Sequence, residues 1–139
     1  MDEACCFAYT DGASRGNPGP AACAFLLVDS RENIITSEAG TLGRKTNNEA
    51  EYQAVINSLQ KAASRSFRRV VVHSDSELVI RQIRGEYRVR KAHLRDLFSR
   101  VKELEQSFLS VEYVNLPREN PWMRIVDRLC NEALDSPNQ

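Results

Sequence analysis

The chain has 139 residues, a formal net charge of zero and 42% hydrophobic residues. These values are typical of one ordinary globular domain, and the neutral bulk charge gives no sign of a nucleic-acid binder, so any such binding must come from local patches. No apolar run is long enough to span a membrane, and the acidic start Met1-Asp2-Glu3 is unlike a signal peptide. We therefore expect a single domain, residues 1–139, in the cytoplasm.

The first half of the chain predicts three strands and a helix. Strands are expected over Ala4–Asp11, Ala21–Val28 and Asn33–Thr41, with a turn rich in Gly and Pro after the first, which suggests an antiparallel meander. A helix then begins at Thr46, because Thr46 and Glu49 form a capping-box pattern. Its apolar stripe contains Val55, Leu59 and Ala62.

The second half predicts two further strands and three helices. They are expected at Arg69–Ser74 (strand), Glu77–Ile83 and His93–Glu105 (helices), Leu109–Leu116 (strand) and Ile125–Leu134 (helix). A helical connection between the third and fourth strands implies a right-handed crossover, so the first and fourth strands should be parallel neighbours. The expected fold is α/β: a mixed five-stranded sheet, part antiparallel and part parallel, flanked by helices.

Four acidic side chains have unusual positions in this pattern. Asp11 and Asp75 are expected to end neighbouring parallel strands, where open α/β sheets place their sites. Glu51 heads the apolar stripe of its helix, and Asp127 shares a helix face with Cys130. Four converging acids would repel one another and raise their pKa values, a conflict that a divalent cation removes.

The donor types restrict which cation is expected. Oxygen ligands suit Mg²⁺ or Mn²⁺, and two such ions about 4 Å apart can hydrolyse a phosphodiester. The four cysteines, Cys5, Cys6, Cys23 and Cys130, form no Cys-x-x-Cys pair, which argues for buried free thiols and against zinc. Each acid also has a mundane alternative: Asp11 and Asp75 as turn or helix caps, and Glu51 and Asp127 as solvated groups.

Four motifs give the chain a family resemblance. The segments 9–20, 46–52, 73–76 and 126–129 read Tyr-Thr-Asp-Gly-Ala-Ser-Arg-Gly-Asn-Pro-Gly-Pro, Thr-Asn-Asn-Glu-Ala-Glu-Tyr, His-Ser-Asp-Ser and Val-Asp-Arg-Leu. In this order they resemble the motifs of type 1 ribonucleases H, over about residues 5–135. The resemblance implies an endonuclease that cuts the RNA strand of RNA–DNA hybrids with two Mg²⁺ ions, or Mn²⁺ as an alternative.

The resemblance also implies residue roles. Asp11, Glu51, Asp75 and Asp127 would be the catalytic, metal-binding acids. Glu51 and main-chain groups near Gly12 would help to recognise ribose 2′-hydroxyls. The remaining expected contacts are Asn17, Asn47 and Asn48 in the minor groove and Arg44 and Thr46 on a DNA phosphate; for Asn47 and Asn48 the alternative is simple filling of the first helical turn.

The sequence departs from the common family pattern at four places. The basic stretch Arg84–Lys91 is short, as in compact archaeal and bacterial members that lack a basic protrusion, and either contacts phosphate or is a solvated face. Arg118 stands where some members have a mobile histidine, which suggests a phosphate or product-release role. Glu77 replaces a commonly neutral side chain, so its charge would weaken binding or bring in metal.

The fourth departure precedes Asp127. The segment Asn120–Arg124 is expected to be a long, mobile loop, with Trp122 as a lid or a stacking surface and Met123 in place of a frequent Asn. Two rival functions stay open: another nuclease of the same superfamily, and a nucleic-acid-binding module with a damaged site. The expected partner is an RNA–DNA hybrid, with no membrane contact and a monomeric chain.

Overall fold

The computed structural model describes residues 5–136, where five strands form one mixed sheet with four helices on its faces. The predicted element order is confirmed, whereas Met1, Asp2, Glu3 and Ala4, used in the predictions above, lie outside the described residues. No helix within the described residues has both the length and the apolar character needed to cross a membrane. The elements are β1 (Cys5–Ser14), β2 (Gly19–Asp29), β3 (Ile34–Lys45), α1 (Asn47–Ser64), β4 (Arg69–Ser74), α2 (Glu77–Ile83), α3 (Ala92–Glu105), β5 (Ser110–Asn115) and α4 (Pro121–Asp135).

The sheet has the strand order β3-β2-β1-β4-β5. The pairs β1–β2 and β2–β3 are antiparallel, and β1–β4 and β4–β5 are parallel, which confirms the expected mixed sheet. The parallel pairing of β1 with β4 stops at Tyr9 and His73, whereas its pairing with β2 continues to Ser14. The end of β1 therefore extends beyond the end of β4, and the turn that follows β4 lies beside this extension.

This register corrects the expectation that Asp11 ends the first strand. Asp11 lies inside β1 and pairs with Ala24 of β2, three residues before the strand ends. The first strand is longer than predicted because its hairpin pairing with β2 continues to Ser14, opposite Ala21. Asp11 still lies beyond the last parallel pair, next to the end of β4.

Two apolar cores lie on opposite faces of the sheet. On one face, α1, α2 and α3 cover residues such as Ala8 and Val72, and on the other, α4 covers residues such as Tyr9 and Leu26. Alternate β1 residues enter alternate cores because successive strand side chains point to opposite faces. The predicted buried thiols are confirmed for three cysteines, Cys5 is half-buried, and none of the four forms a disulfide.

The start of α1 follows the predicted capping box. The Glu49 N–H donates to Thr46 Oγ1 over 3.1 Å, and the Thr46 N–H donates to Glu49 Oε1 over 2.8 Å. These bonds satisfy two main-chain donors that would otherwise lack partners at the helix end. The helix start is thereby fixed five residues before Glu51.

The start of α4 differs from the prediction. Asn120–Arg124 is not a loop: the Asn120 side chain caps α4, and Pro121 is its first residue. Asn120 Oδ1 accepts hydrogen bonds from the N–H groups of Trp122 and Met123 at 2.9 and 3.3 Å. In the sequence, Pro121 indicates a loop. At the first position of a helix, however, the missing N–H of proline costs nothing and its φ is already helical. The prediction of a mobile loop is therefore wrong. The hypothesis of a binding module with a damaged site rested on that loop and loses its support.

Candidate active site

Three carboxylates converge at the projecting end of β1. Asp11 comes from β1, Glu51 from α1, and Asp75 from the turn between β4 and α2. One carboxylate oxygen from each lies within 4.8 Å of the others. Asp11 and Glu51 are only 5% and 4% exposed, and Asp75 is half-buried, so the cluster is largely shielded from water.

Glu51 is held in the cluster by its helix and by the neighbouring strand. It lies on the same buried face of α1 as Val55 and Leu59, which confirms the stripe predicted from the sequence. The Gly12 N–H donates to Glu51 Oε1 over 3.0 Å. Burial raises the pKa of Glu51 well above its usual range, with further increases from the charges of Asp11 and Asp75.

Asp11 has the least compensated carboxylate of the cluster. Within residues 5–136, Asp11 Oδ2 is the buried side-chain oxygen without a hydrogen-bond partner. Burial, followed by the charges of Asp75 and Asp127, raises the pKa of Asp11 to about 8. A hydrogen bond with the Asp127 carboxyl acts in the same direction, because two carboxyl groups can share one only when a proton lies between them.

Asp127 approaches the cluster from the opposite face of the sheet. It lies on the second turn of α4 and is half-buried, and its charge acts on Asp11. The Asn131 side chain donates to the main-chain oxygen of Asp127 over 3.0 Å and to Asp127 Oδ1 over 3.4 Å. Asp127 is therefore a fourth acid beside the three, with one of its oxygens already oriented.

Arg118 is the cation nearest to these acids. Its Nε lies 3.5 Å from Asp75 Oδ2, while 73% of its side chain remains exposed. Asp75 raises the pKa of Arg118 most, and the more distant Asp127 and Asp11 add to this. One exposed guanidinium is too solvent-screened to neutralise four acids.

The donor set fits divalent cations. Three carboxylates meet at one end of β1 and β4, with Asp127 beside Asp11, and an unpartnered buried oxygen, Asp11 Oδ2, lies among them. Carboxylate oxygens are ligands for hard cations such as Mg²⁺, and a bound ion would remove both the repulsion and the missing bond. The described cluster contains carboxylates alone, so the chemistry of zinc–thiolate sites does not apply to it.

Comparison with known proteins identifies the family. A family profile described as reverse transcriptase-like matches residues 9–133. The structure of RNase H1 from the halophilic archaeon Halobacterium salinarum matches with a TM-score of 0.90 and 40% identity, covering 94% of this chain and 98% of that one. The chain belongs to the ribonuclease H family.

Two further matches define how far this similarity reaches. The ribonuclease HI sequence of Halobacterium salinarum is 41% identical over 128 residues, which is 92% of this chain. The chain spans 63% of the length of that relative and 35% of the length of the mycobacterial relatives. A ribonuclease H1 named LC11 matches with a TM-score of 0.89 and 32% identity, covering 96% of this chain and 99% of that one. That structure is a complex with an RNA/DNA hybrid.

Most residues expected to contact substrate in a ribonuclease H lie on one flank of the acids. Asn17 Oδ1 accepts a 2.9 Å hydrogen bond from the Asn47 N–H, which ties the β1–β2 turn to the start of α1. Arg44 is exposed near the end of β3, and Thr46 and Asn48 are half-buried beside it in sequence. In the strand order, Arg118 lies on the opposite flank, after β5.

Sequence reasoning missed an aromatic stack behind the acids. The His73 ring stacks on Tyr9 with centroids 4.4 Å apart, and Tyr9 stacks on Trp122 at 5.5 Å. Trp122 is thus neither a lid nor an open stacking surface, because its ring packs between α4 and β1. The alternation of side chains along β1 is the one sequence signal for this stack, because it places Tyr9 on the sheet face that α4 covers.

Glu77 does not join the acid cluster. Its Oε2 accepts a 2.9 Å hydrogen bond from Arg81 Nε, one helical turn further along α2. The group of carboxylates within 4.8 Å of one another in the described residues does not include it. Its expected role in bringing in metal therefore has no support, because its charge is engaged along the helix.

Proposed function

We propose that this chain is an endoribonuclease that hydrolyses the RNA strand of RNA–DNA hybrids and leaves 5′-phosphate and 3′-hydroxyl ends. The observation that carries the proposal is the convergence of Asp11, Glu51 and Asp75 within 4.8 Å, around a buried oxygen without a partner. The similar LC11 enzyme, solved with an RNA/DNA hybrid, supports the choice of substrate.

Asp11, Glu51, Asp75 and Asp127 are proposed to hold two Mg²⁺ ions, with Mn²⁺ as an alternative. When bound, such ions lower the pKa of water and stabilise the charge that develops on the leaving 3′ oxygen. The protein holds three of the four acids in place before substrate arrives. Asp11 is fixed by the strand ladder, Glu51 by the Gly12 N–H and Asp127 by Asn131.

Selection for RNA is proposed to depend on Gly12 and Glu51. One oxygen of Glu51 accepts from Gly12, so its orientation is fixed at the point where the β1 main chain passes α1. A 2′-hydroxyl can donate to the Glu51 oxygen that does not accept from Gly12, and deoxyribose has no hydroxyl with which to do so. These groups therefore discriminate the two sugars beside the acids that act on the phosphate.

The remaining contacts are proposed to hold the duplex. Asn17, Asn47 and Asn48 would bind its minor groove, and the side-chain amide of Asn17 remains free to donate because only its oxygen is used internally. Arg44 and Thr46 would bind a phosphate of the DNA strand, and Arg118 a phosphate of the RNA strand or the product. The single domain, the monomeric state and the cytoplasmic location stay predictions from the sequence.

The test is cleavage of three duplexes of one sequence, RNA–DNA, RNA–RNA and DNA–DNA, with Mg²⁺ or Mn²⁺. We expect the RNA strand of the hybrid to be cut and the DNA duplex to stay intact. Equal cleavage of the DNA duplex would assign the chain to another nuclease group of the superfamily. Binding of the hybrid without any cleavage would reduce it to a binding module.

A further inference from the structure

A basic cavity adjoins the acid cluster on the side of α4. It has a volume of about 590 Å³ and opens to solvent beside Asp127. Three of its lining residues are arginines, against two carboxylates. The lining residues are Arg118, Glu119, Arg124, Asp127, Arg128 and Asn131.

Two of these arginines form no ion pair with any residue that the structure describes. Arg124 and Arg128 lie one turn apart on α4, on either side of Asp127, and both are exposed. Within residues 5–136, neither forms an ion pair, whereas Arg118 pairs with Asp75 and Arg15 with Asp135. Arg124 and Arg128 line the cavity and do not pair with the acids. A role in neutralising the charge of the acids therefore does not account for them.

The position of Arg124 is also unfavourable for the helix itself. The start of an α-helix carries a partial positive charge, which acidic residues usually offset. The first turn of α4 contains no acidic residue, and Arg124 follows that turn directly. The positive end of the helix and Arg124 therefore add to one another, and an anion in the cavity would interact favourably with both.

We propose that Arg124 and Arg128, with Arg118, form a site for the RNA-strand phosphate next to the one that is cut. This inference rests on the proposed function. Guanidinium groups suit phosphate oxygens because they donate two parallel hydrogen bonds. The RNA strand is favoured because the cavity shares Asp127 with the acids that act on that strand.

The arrangement of the elements separates this cavity from the expected DNA contact. Arg44 and Thr46 lie at the end of β3 and the start of α1, whereas the cavity lies on α4, which covers the other sheet face. In the strand order, β3 and β5 are the two opposite edges, and Arg118 follows β5. The two phosphate sites therefore flank the acids, and a duplex that spans both presents one strand to each.

The first experiment measures hybrid affinity against salt concentration, in Ca²⁺ in place of Mg²⁺ so that binding occurs without cleavage. The Arg124→Ala/Arg128→Ala variant should bind about tenfold more weakly, and its slope of log affinity against log salt should fall by about 1 to 2. The matched control is Arg31→Ala/Arg69→Ala, which removes two exposed arginines at the opposite end of the strands, beside Asp29 and Cys5. The control should keep the wild-type slope.

The second experiment identifies the strand. A single uncharged methylphosphonate is moved along the RNA strand, and then along the DNA strand, of the same hybrid. One RNA position should weaken wild-type binding about tenfold and leave the double-arginine variant nearly unaffected, because the partner charge is already gone. Each DNA position should affect both proteins equally.

The outcomes separate this inference from the proposed function. A wild-type protein that neither binds nor cuts the hybrid would overturn the proposed function and the inference with it. A wild-type protein that cuts the hybrid, beside a variant with unchanged affinity and salt slope, would overturn the arginine site alone. A methylphosphonate in the DNA strand that weakens binding of the wild type but not of the variant would also overturn the arginine site. The melting temperature of the variant should be equal or slightly higher, since removing Arg124 relieves the helix end.

Discussion

The main-chain N–H of Gly12 donates a 3.0 Å hydrogen bond to Glu51 Oε1, and α1 lies so close that position 12 has no room for a side chain. A Cβ there would lie 2.2 Å from the main-chain carbon of Ala50. The absence of a side chain at Gly12 is therefore what allows Glu51 to reach the strand that carries Asp11.

Gly12→Ala should lower the free energy of unfolding by roughly 3 kcal/mol and reduce cleavage strongly, because β1 and α1 must separate. Urea denaturation measures the first effect and hybrid cleavage the second. The matched control is Gly40→Ala in β3, where a Cβ meets nothing within 4 Å and stability should change by less than about 1 kcal/mol. Similar effects at the two positions would show that the close contact is unimportant.

Asp11→Asn should reduce the cleavage rate by at least about a thousandfold, or roughly 4 kcal/mol of transition-state stabilisation, because it removes a proposed metal ligand. The fold should remain, since an amide has the same shape and can donate to the Asp127 carboxyl. Hybrid cleavage and circular dichroism of the same preparation check the two parts. Retention of most activity would contradict the assignment of Asp11.

Without metal, the buried acids should make stability depend on pH. The pKa of Asp11 is about 8 in the folded chain and returns to its ordinary value of 3.8 on unfolding. The folded state therefore holds more protons over this interval, so the free energy of unfolding should fall as pH rises through it and level off above it. Asp11→Asn should flatten this dependence, as measured by urea denaturation in EDTA between about pH 4 and 9. Equal slopes in the two proteins would contradict the raised pKa.

The contact between Trp122 and Tyr9 should control how well Asp127 is oriented. Trp122→Ala removes the ring that packs α4 on β1, so we expect kcat to fall by about tenfold or more while hybrid affinity changes little. Trp122→Phe keeps a ring and should retain most of the rate. Cleavage kinetics beside affinity in Ca²⁺ measure the two quantities. Equal losses in both, or no loss of kcat, would show that the stack does not orient the acid.

Much of the fold was predictable because local patterns and tertiary structure agree. The capping box of Thr46 and the stripe of Glu51, Val55 and Leu59 fix both the start of α1 and the face that carries Glu51. The crossover rule then makes β1 and β4 neighbours, which brings Asp11 and Asp75 to one edge. Three of the four acids could thus be brought together from the sequence alone.

The parts that the sequence did not reveal depend on long-range contacts. Asn120-Pro121 is compatible with a loop or with a helix start, and the choice was settled by packing of Trp122 and Met123 on the sheet. The His73–Tyr9–Trp122 stack joins three elements distant in sequence, so no local period encodes it. The pair Arg124 and Arg128, by contrast, has a local signal in the sequence, which is its spacing of one helical turn around Asp127.

If the acid cluster hydrolyses the RNA strand with water, the chemical groups at the ends of the products will show it. An end-labelled RNA strand in a hybrid is cut with Mg²⁺ by the wild-type protein and, in parallel, treated with Asp11→Asn. We expect fragments with 5′-phosphate and 3′-hydroxyl ends from the wild type alone. Fragments with 2′,3′-cyclic phosphate ends would show that the ribose hydroxyl is the nucleophile, and would contradict hydrolysis by water at the acid cluster.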